Sequence, residues 1–307
     1  MGNTSIDPPA AVLALIRGAV DRARIQAALR ARYDVRFVAD RAEMLAVLAT
    51  RHQPVAAIIV ETSLSGGASA CELVRVICSS PHAPPVLAWC HGRADLRDIV
   101  LAGVRELLFA DVDESPFVLR SLIDSAQVGH AGERAAMALL RILPPKLAPF
   151  VRHVTSHPET QRVSDVAIAL GCNRKSLHNQ SAAARVPAPQ ELLGWCRLAV
   201  AAELLAGSQR TIESVALQLD FPSDTALRNM MKRYTGMPAS EIRTRGGARR
   251  IAQCLVAAIG AFREAHIKGV PAASSAAHGP YAPRLRLHRS AAATPSRPAE
   301  AVRARSG

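Results

Sequence analysis

The sequence predicts an α/β domain built on a doubly wound, five-stranded parallel sheet, followed by an all-α domain with two helix-turn-helix motifs. Three observations carry that expectation. From Ala11 to about Gln127 short apolar runs alternate with helical segments, the order that a parallel sheet needs. From Arg162 to Arg243 one pattern (short helix, tight turn, polar-faced second helix) occurs twice, the second copy starting 49 residues after the first, at Ile212 instead of Val163. Positive charge gathers in the second half. Residues 1–130 hold 13 basic and 14 acidic side chains, residues 131–245 hold 15 and 9, and residues 246–307 hold 10 and 2.

The first domain reads as strands at Val12–Ile16, Val35–Val38, Ala56–Val60, Pro85–Trp89 and Glu106–Phe109, runs rich in Val, Ile, Leu and Ala that suit burial on both faces. Helical spacing between and after them predicts helices near Arg22–Arg32, Arg41–Arg51, Ser69–Ile77, Ala94–Ala102 and Pro116–Gln127. The last of these runs on through Arg141 before Pro144-Pro145 stops it. Lys146–Ser156, with Leu147, Phe150, Val151 and Val154 on one side, then packs against the first helix-turn-helix.

In that first copy Val163, Val166, Ala167 and Leu170 fall at i, i+3, i+4 and i+7, one apolar face of a helix, and Gly171 supplies a left-handed residue to end it. Asn173 caps the next helix. That helix, Arg174–Ala184, buries little beyond Leu177 and shows Arg174, Lys175, His178, Asn179 and Gln180, side chains able to donate to phosphates and base edges. The second copy repeats the face at Ile212, Val215, Ala216 and Leu219, followed by Asp220, Phe221 and a cap at Ser223. Its second helix turns Leu227, Met231 and Tyr234 inward and leaves Asp224, Thr225, Arg228, Asn229, Lys232 and Arg233 free for DNA. Between the copies Gln190–Ala206 opens after Pro189 and closes before Gly207, a single helix of roughly 25 Å able to hold two recognition helices about one DNA turn apart. Trp195 shares its face with Leu192, Leu198 and Ala199 and reads as core.

The expected organisation is therefore residues 1–127 as the α/β domain, 128–145 as a helical connector, 146–247 as the double helix-turn-helix, and 248–269 as one more helix after Gly246-Gly247. Residues 270–307, rich in Ala, Pro, Ser and Arg without periodicity, are expected to form a disordered basic tail. The net charge of +13 fits a polyanionic partner. Cys71, Cys78, Cys90, Cys172, Cys196 and Cys254 show neither CxxC pairs nor Cys/His ligand spacing and read as reduced core thiols, not metal ligands. No basic, apolar leader follows Met1 and no apolar run approaches a membrane span, so a cytoplasmic protein is expected. There is no GxGxxG, Walker-type loop, HExxH or GxSxG, which argues against an enzyme and implies no cofactor.

The stretch TIESVALQLDFPSDTALRNMMKRYTGMPASEIR resembles the second helix-turn-helix and signature of the AraC/XylS family of transcription regulators. It departs at Asp220, where the family usually has Gly, at Leu227 and Met231 for Phe, at Asn229 for Arg, and at Pro238-Ala239 for Ser-Pro. Leu and Met still fill an aromatic pocket, whereas Asn for Arg alters what that position can reach, so the family's base preference does not carry over. The N-terminal elements in turn resemble the receiver domain of response regulators, with AAIIVETSLSGG as the third strand and its loop, PPVLAWC as the fourth strand and AGVRELLFAD as the fifth. That resemblance implies an acidic pair after the first strand to hold Mg²⁺, an Asp acceptor, a hydroxyl and a Lys. Here the first strand ends Leu15-Ile16-Arg17, Glu61 stands at the acceptor position, Cys90 at the hydroxyl position and Ala110 at the Lys position. A domain that cannot be phosphorylated is expected, with Glu61 a structural carboxylate in preference to a phosphate mimic.

Together these readings predict a sequence-specific, phosphorylation-independent DNA-binding transcription regulator. Lys175, His178, Asp224, Thr225 and Asn229 are expected at base edges, while Arg174, Arg228, Lys232 and Arg233 neutralise phosphates. Its expected partners are double-stranded DNA, RNA polymerase and a second copy joined through the N-terminal domain, with no membrane. Two alternatives stay open: a phosphorelay output regulator with an atypical acceptor, and an adaptor that recruits a protein partner and binds DNA only incidentally.

Overall fold

Strands β1 (Ala11–Leu15), β2 (Asp34–Phe37), β3 (Val55–Glu61), β4 (Val86–Cys90) and β5 (Glu106–Phe109) pair in parallel in the order β2-β1-β3-β4-β5. The computed structural model describes residues 10–50, 55–62, 70–80, 83–92, 96–113, 115–207, 210–244 and 246–267; the tail expected to be disordered, residues 270–307, lies outside them. A strand's side chains alternate between faces, and the sequence uses both. Val12, Ala14, Ile16, Ala57, Ile59, Leu87 and Trp89 point to one core, while Leu13, Leu15, Ile58, Val60, Val86, Ala88 and Cys90 point to the other. Helices α1 (Ala19–Leu29) and α5 (Pro116–Leu140) cover the first face; α2 (Arg41–Thr50), α3 (Ala70–Cys78) and α4 (Leu96–Leu101) cover the second.

Most expected elements stand within a residue or two of the sequence reading, with α1 as the exception. It starts at Ala19 instead of Arg22, because the Gly18 carbonyl accepts the Arg22 amide at 2.9 Å and so opens the helix a turn earlier. The thiols also need a correction. Cys90 and Cys196 are buried, but Cys78 is exposed, and Cys71, Cys172 and Cys254 are only partly covered.

Helix α5 joins the two halves without a break. Its first half lays Leu119, Ile123 and Ala126 on the sheet; its second half, residues 128–140, sends Ala131, Ala135, Ala136 and Leu139 into the core of the helical domain. After a 3-10 turn at Pro145–Leu147 come α6 (Ala148–Ser156), α7 (Val163–Ala169), α8 (Arg174–Ala183), α9 (Pro189–Gly207), α10 (Ile212–Gln218), α11 (Asp224–Thr235), α12 (Ala239–Thr244) and α13 (Gly247–Ile267). Helix α9 is the axle: every residue from Leu192 to Ala202 is buried. A helix apolar on all sides belongs inside a domain, and α5, α6 and α13 pack around this one. Two close approaches depend on glycine. A Cβ at Gly132 would strike the Thr155 carbonyl of α6, and one at Gly194 would strike the Tyr234 hydroxyl of α11. Glu203 of α9 accepts the Ala248 amide at 2.8 Å and meets Arg134 at 2.9 Å, tying the start of α13 to α5. No described helix is long and apolar enough to cross a membrane.

Candidate DNA interface

Two heads, α7–α8 and α10–α11, repeat down to single hydrogen bonds. In the first turn the Cys172 amide reaches the Ala167 carbonyl at 2.9 Å and the Gly171 amide reaches Ile168 at 3.0 Å. In the second the Phe221 amide reaches Ala216 at 2.8 Å and the Asp220 amide reaches Leu217 at 3.2 Å. Gly171 (φ 62°) and Asp220 (φ 54°) take the left-handed conformation that ends each first helix, as the sequence predicts. Asp is among the few side chains that tolerate it. The N-caps also form: Asn173 Oδ1 accepts the Ser176 amide at 2.7 Å, and Ser223 Oγ accepts the Ala226 amide at 3.1 Å. These caps lie 50 residues apart, not 49, because Pro222 makes the second turn one residue longer.

That extra residue sets the correspondence between the second helices: Leu177 matches Leu227 and Ser181 matches Met231, all four buried. On the open face Arg174 and Lys175 match Asp224 and Thr225, His178 matches Arg228, and Asn179 matches Asn229. Arg174, Lys175, His178, Asn179, Thr225, Arg228, Asn229, Lys232 and Arg233 are exposed, and Asp224 is partly so. Asp224 has close partners on its own helix. Its Oδ1 accepts the Thr225 amide at 2.7 Å and its Oδ2 the Arg228 Nε at 3.2 Å, and Arg228 first, then the Thr225 amide, holds its carboxyl below the usual range. Asp224 therefore orients Arg228 as well as lying on the face itself. The Arg233 guanidinium lies 5.1 Å over the Tyr234 ring, and Tyr234 stands edge-on to the buried Trp195 at 4.9 Å.

What locks the heads to each other is absent from the sequence reading. Arg197, on α9 and 7% exposed, donates from Nε to the Pro158 carbonyl at 2.7 Å and from Nη2 to the Leu219 carbonyl at 2.7 Å, with its guanidinium 4.1 Å over Phe221. Pro158 precedes the first head and Leu219 lies in the turn of the second, so one guanidinium holds both. Burial lowers its pKa, and the nearby Asp220 and Glu159 raise it. Gln161, just before α7, adds a second link by donating to Asp220 Oδ2 at 2.6 Å and to the Asp220 carbonyl at 3.1 Å. The usable signal was a lone Arg within an otherwise apolar helical run, since a buried guanidinium has to find acceptors.

At the carboxyl end of the sheet, Glu61 is 7% exposed and accepts the Arg17 amide at 2.8 Å. A second carboxylate stands close by, supplied from beyond the first strand. Asp21, in the first turn of α1 and 6% exposed, lies on the far side of His91, whose Nε2 is 3.1 Å from Asp21 Oδ2 and 3.7 Å from Glu61 Oε1. The early start of α1 turned Asp21 inward. This donor set does not fit a Mg²⁺-assisted phosphoryl site. An imidazole already stands between the carboxylates, Cys90 is buried without a hydroxyl, and Ala110 offers no ammonium. Among the described residues no group of three or more His, Cys, Asp or Glu is arranged to hold a metal ion.

Comparison with known proteins agrees with this geometry for the second half. Residues 166–245 match the model of a helix-turn-helix domain. No curated protein matches the chain significantly. Solved structures similar to the chain include the chemotaxis response regulator CheY4 of Vibrio cholerae (20% identity, 38% of this chain and 98% of that one, TM-score 0.33). A response regulator receiver domain protein from Clostridium thermocellum (21% identity, 38% and 94%, TM-score 0.34) and a response regulator from Thermotoga maritima (15% identity, 38% and 98%, TM-score 0.33) are also similar.

Proposed function

We propose that this chain, whose residues 166–245 are an AraC-type helix-turn-helix domain behind an N-terminal receiver-like fold, is a sequence-specific transcription regulator that needs no phosphorylation. The observation that carries the reading is the matched pair of heads: two capped, polar-faced helices, α8 and α11, held to one buried helix and tied to each other through Arg197. Helix α9, at about 28 Å, suits two recognition helices entering successive major grooves about 34 Å apart. Arg174, Arg228, Lys232 and Arg233 neutralise phosphates in this account, and Lys175, His178, Asp224, Thr225 and Asn229 meet base edges. The cytoplasm is the compartment where such a protein works, and RNA polymerase and a second copy of the chain are its expected partners. Phosphorylation-independent action is supported by the His91-bridged carboxylates and by Ala110.

The test uses the full chain. A binding site is selected from a pool of random duplexes, then titrated against a scrambled duplex at two salt concentrations. The expected result is a preference of roughly 10³-fold or more for the selected site, with log affinity falling linearly as log salt rises. Equal affinity for both duplexes would remove the claim of sequence specificity, and no binding even at low salt would remove DNA altogether and favour an adaptor role.

A further inference from the structure

Arg210 sits one residue before Thr211, the N-cap of α10, yet its side chain belongs to the other half of the molecule. It is 7% exposed and donates from Nε to Gln127 Oε1 at 2.9 Å and from Nη2 to Asp124 Oδ1 at 2.8 Å, both on α5. Asp124 also accepts the Tyr33 hydroxyl at 3.0 Å and the Arg32 guanidinium at 2.9 Å, side chains from the turn between α1 and β2. Gln127 closes the ring by donating to the Tyr33 oxygen at 3.3 Å. Two further bonds extend the joint into the second head: Gln218 of α10 donates to the Asp124 carbonyl at 3.1 Å, and Arg243 of α12 donates to the Arg210 carbonyl at 2.6 Å.

The described hydrogen bonds that cross from residues 10–127 to the two heads run to Arg210 and Gln218, both of the second. A buried guanidinium whose carboxylate leaves is left with an uncompensated charge, so this joint prefers to be wholly made or wholly broken. Ile212, Val215, Ala216 and Leu219 pack α10 into the helical core and Arg197 holds the turn that follows it, while Arg210 ties the end at which it begins to α5. We propose that Arg210 is a positioning residue through which the receiver-like domain sets the pose of the second head, so that the α1–β2 turn, and not the Glu61 end of the sheet, is where that domain acts on DNA binding. The inference rests on the DNA-binding reading above.

The experiment takes the full chain as wild type, Arg210→Gln, Asp124→Asn, the double variant and Tyr33→Phe. Each is titrated on the selected duplex and footprinted by hydroxyl radicals, and its thermal unfolding is recorded. The expected result for Arg210→Gln is an affinity loss of roughly tenfold, with protection lost over the half of the site contacted by α11 and kept over the half contacted by α8. The double variant should be no worse than Arg210→Gln alone, as for two members of one joint. Tyr33→Phe, which keeps its ring and cannot be expected to unfold the domain, should lose protection over the same half to a smaller degree. If the variants lower the melting temperature while both halves of the footprint weaken together or not at all, Arg210 is structural and the inference fails. A wild-type chain that selects no site would instead sink the DNA-binding reading itself, which keeps the two failures apart.

Discussion

Arg197 shows what a single buried charge can do when its acceptors are backbone carbonyls that no helix uses. The Pro158 and Leu219 carbonyls lie at helix boundaries, where orphan acceptors collect. Replacing Arg197 by Met should leave them unpaired and cost about 2–4 kcal/mol, read from the urea midpoint; a variant as stable as wild type would show that water or the backbone satisfies them. On the open faces the residue types divide the labour. Arg228→Ala and Lys232→Ala should weaken every duplex alike, whereas Lys175→Ala and Thr225→Ala should reorder preferred sequences, each lost base contact being worth roughly 1–3 kcal/mol. Competition titrations over a panel of duplexes check this, and four variants unchanged in affinity and ranking would mean that α8 and α11 do not face DNA. Burial pushes the Cys196 thiol up to about 12 and raises Cys90 as well, which makes both poor nucleophiles near neutral pH.

At the scale of elements, α5 carries the join between the halves, and it holds a pH-sensitive group midway. His130 is partly buried, with its Nε2 enclosed and unpartnered among the described residues, and desolvation first, then Arg105 and Arg134, lowers its pKa to about 4. The folded chain therefore refuses a proton that the unfolded chain accepts below about pH 6.5. Stability from this site is complete above pH 6.5 and drains away as pH falls toward 4, by up to roughly 3 kcal/mol across that window. Denaturant titrations from pH 7.5 to 4 should show the acid limb flattened in His130→Gln; parallel curves for variant and wild type would place the acid sensitivity elsewhere. Helix α9 depends in turn on Gly194, the gap that lets Tyr234 seat against Trp195 and so brings α11 close.

Over the whole molecule the two halves share α5 and are tied again at Arg210, and the helical half draws part of its core from residues 131–139. A fragment limited to residues 140–250 would lack Ala131, Ala135 and Leu139 of α5 and Leu255 and Ile259 of α13, and binding tests belong to the full chain. The receiver-like domain should be deaf to phosphodonors. Incubation with acetyl phosphate and Mg²⁺, followed by intact mass measurement, should show no added phosphoryl group, since Ala110 cannot steady its charge and His91 already holds Asp21 and Glu61. A labile adduct mapped to Glu61, or DNA affinity that rises with the donor, would promote the phosphorelay alternative.

The sequence by itself determined whatever depends on local period and local turn chemistry. Alternation from Val12 to Ile16 set which strand residues enter which core, and the face repeated from Val163 and from Ile212 set the two heads. Gly171, Asp220, Asn173 and Ser223 set where their helices end and begin, because left-handed backbone and caps are chosen by neighbours a few residues away. Only the tertiary structure decided the fate of the charged side chains. Asp21 and Arg210 look locally like solvent-facing residues and Arg197 like a lone charge in an apolar run, and each is buried because its partners arrive from His91, from Asp124 and Gln127, and from Pro158 and Leu219, 39 or more residues distant in all but the turn at Leu219. A charge leaves water only where acceptors converge from separate segments, and that convergence exists only once the chain has folded.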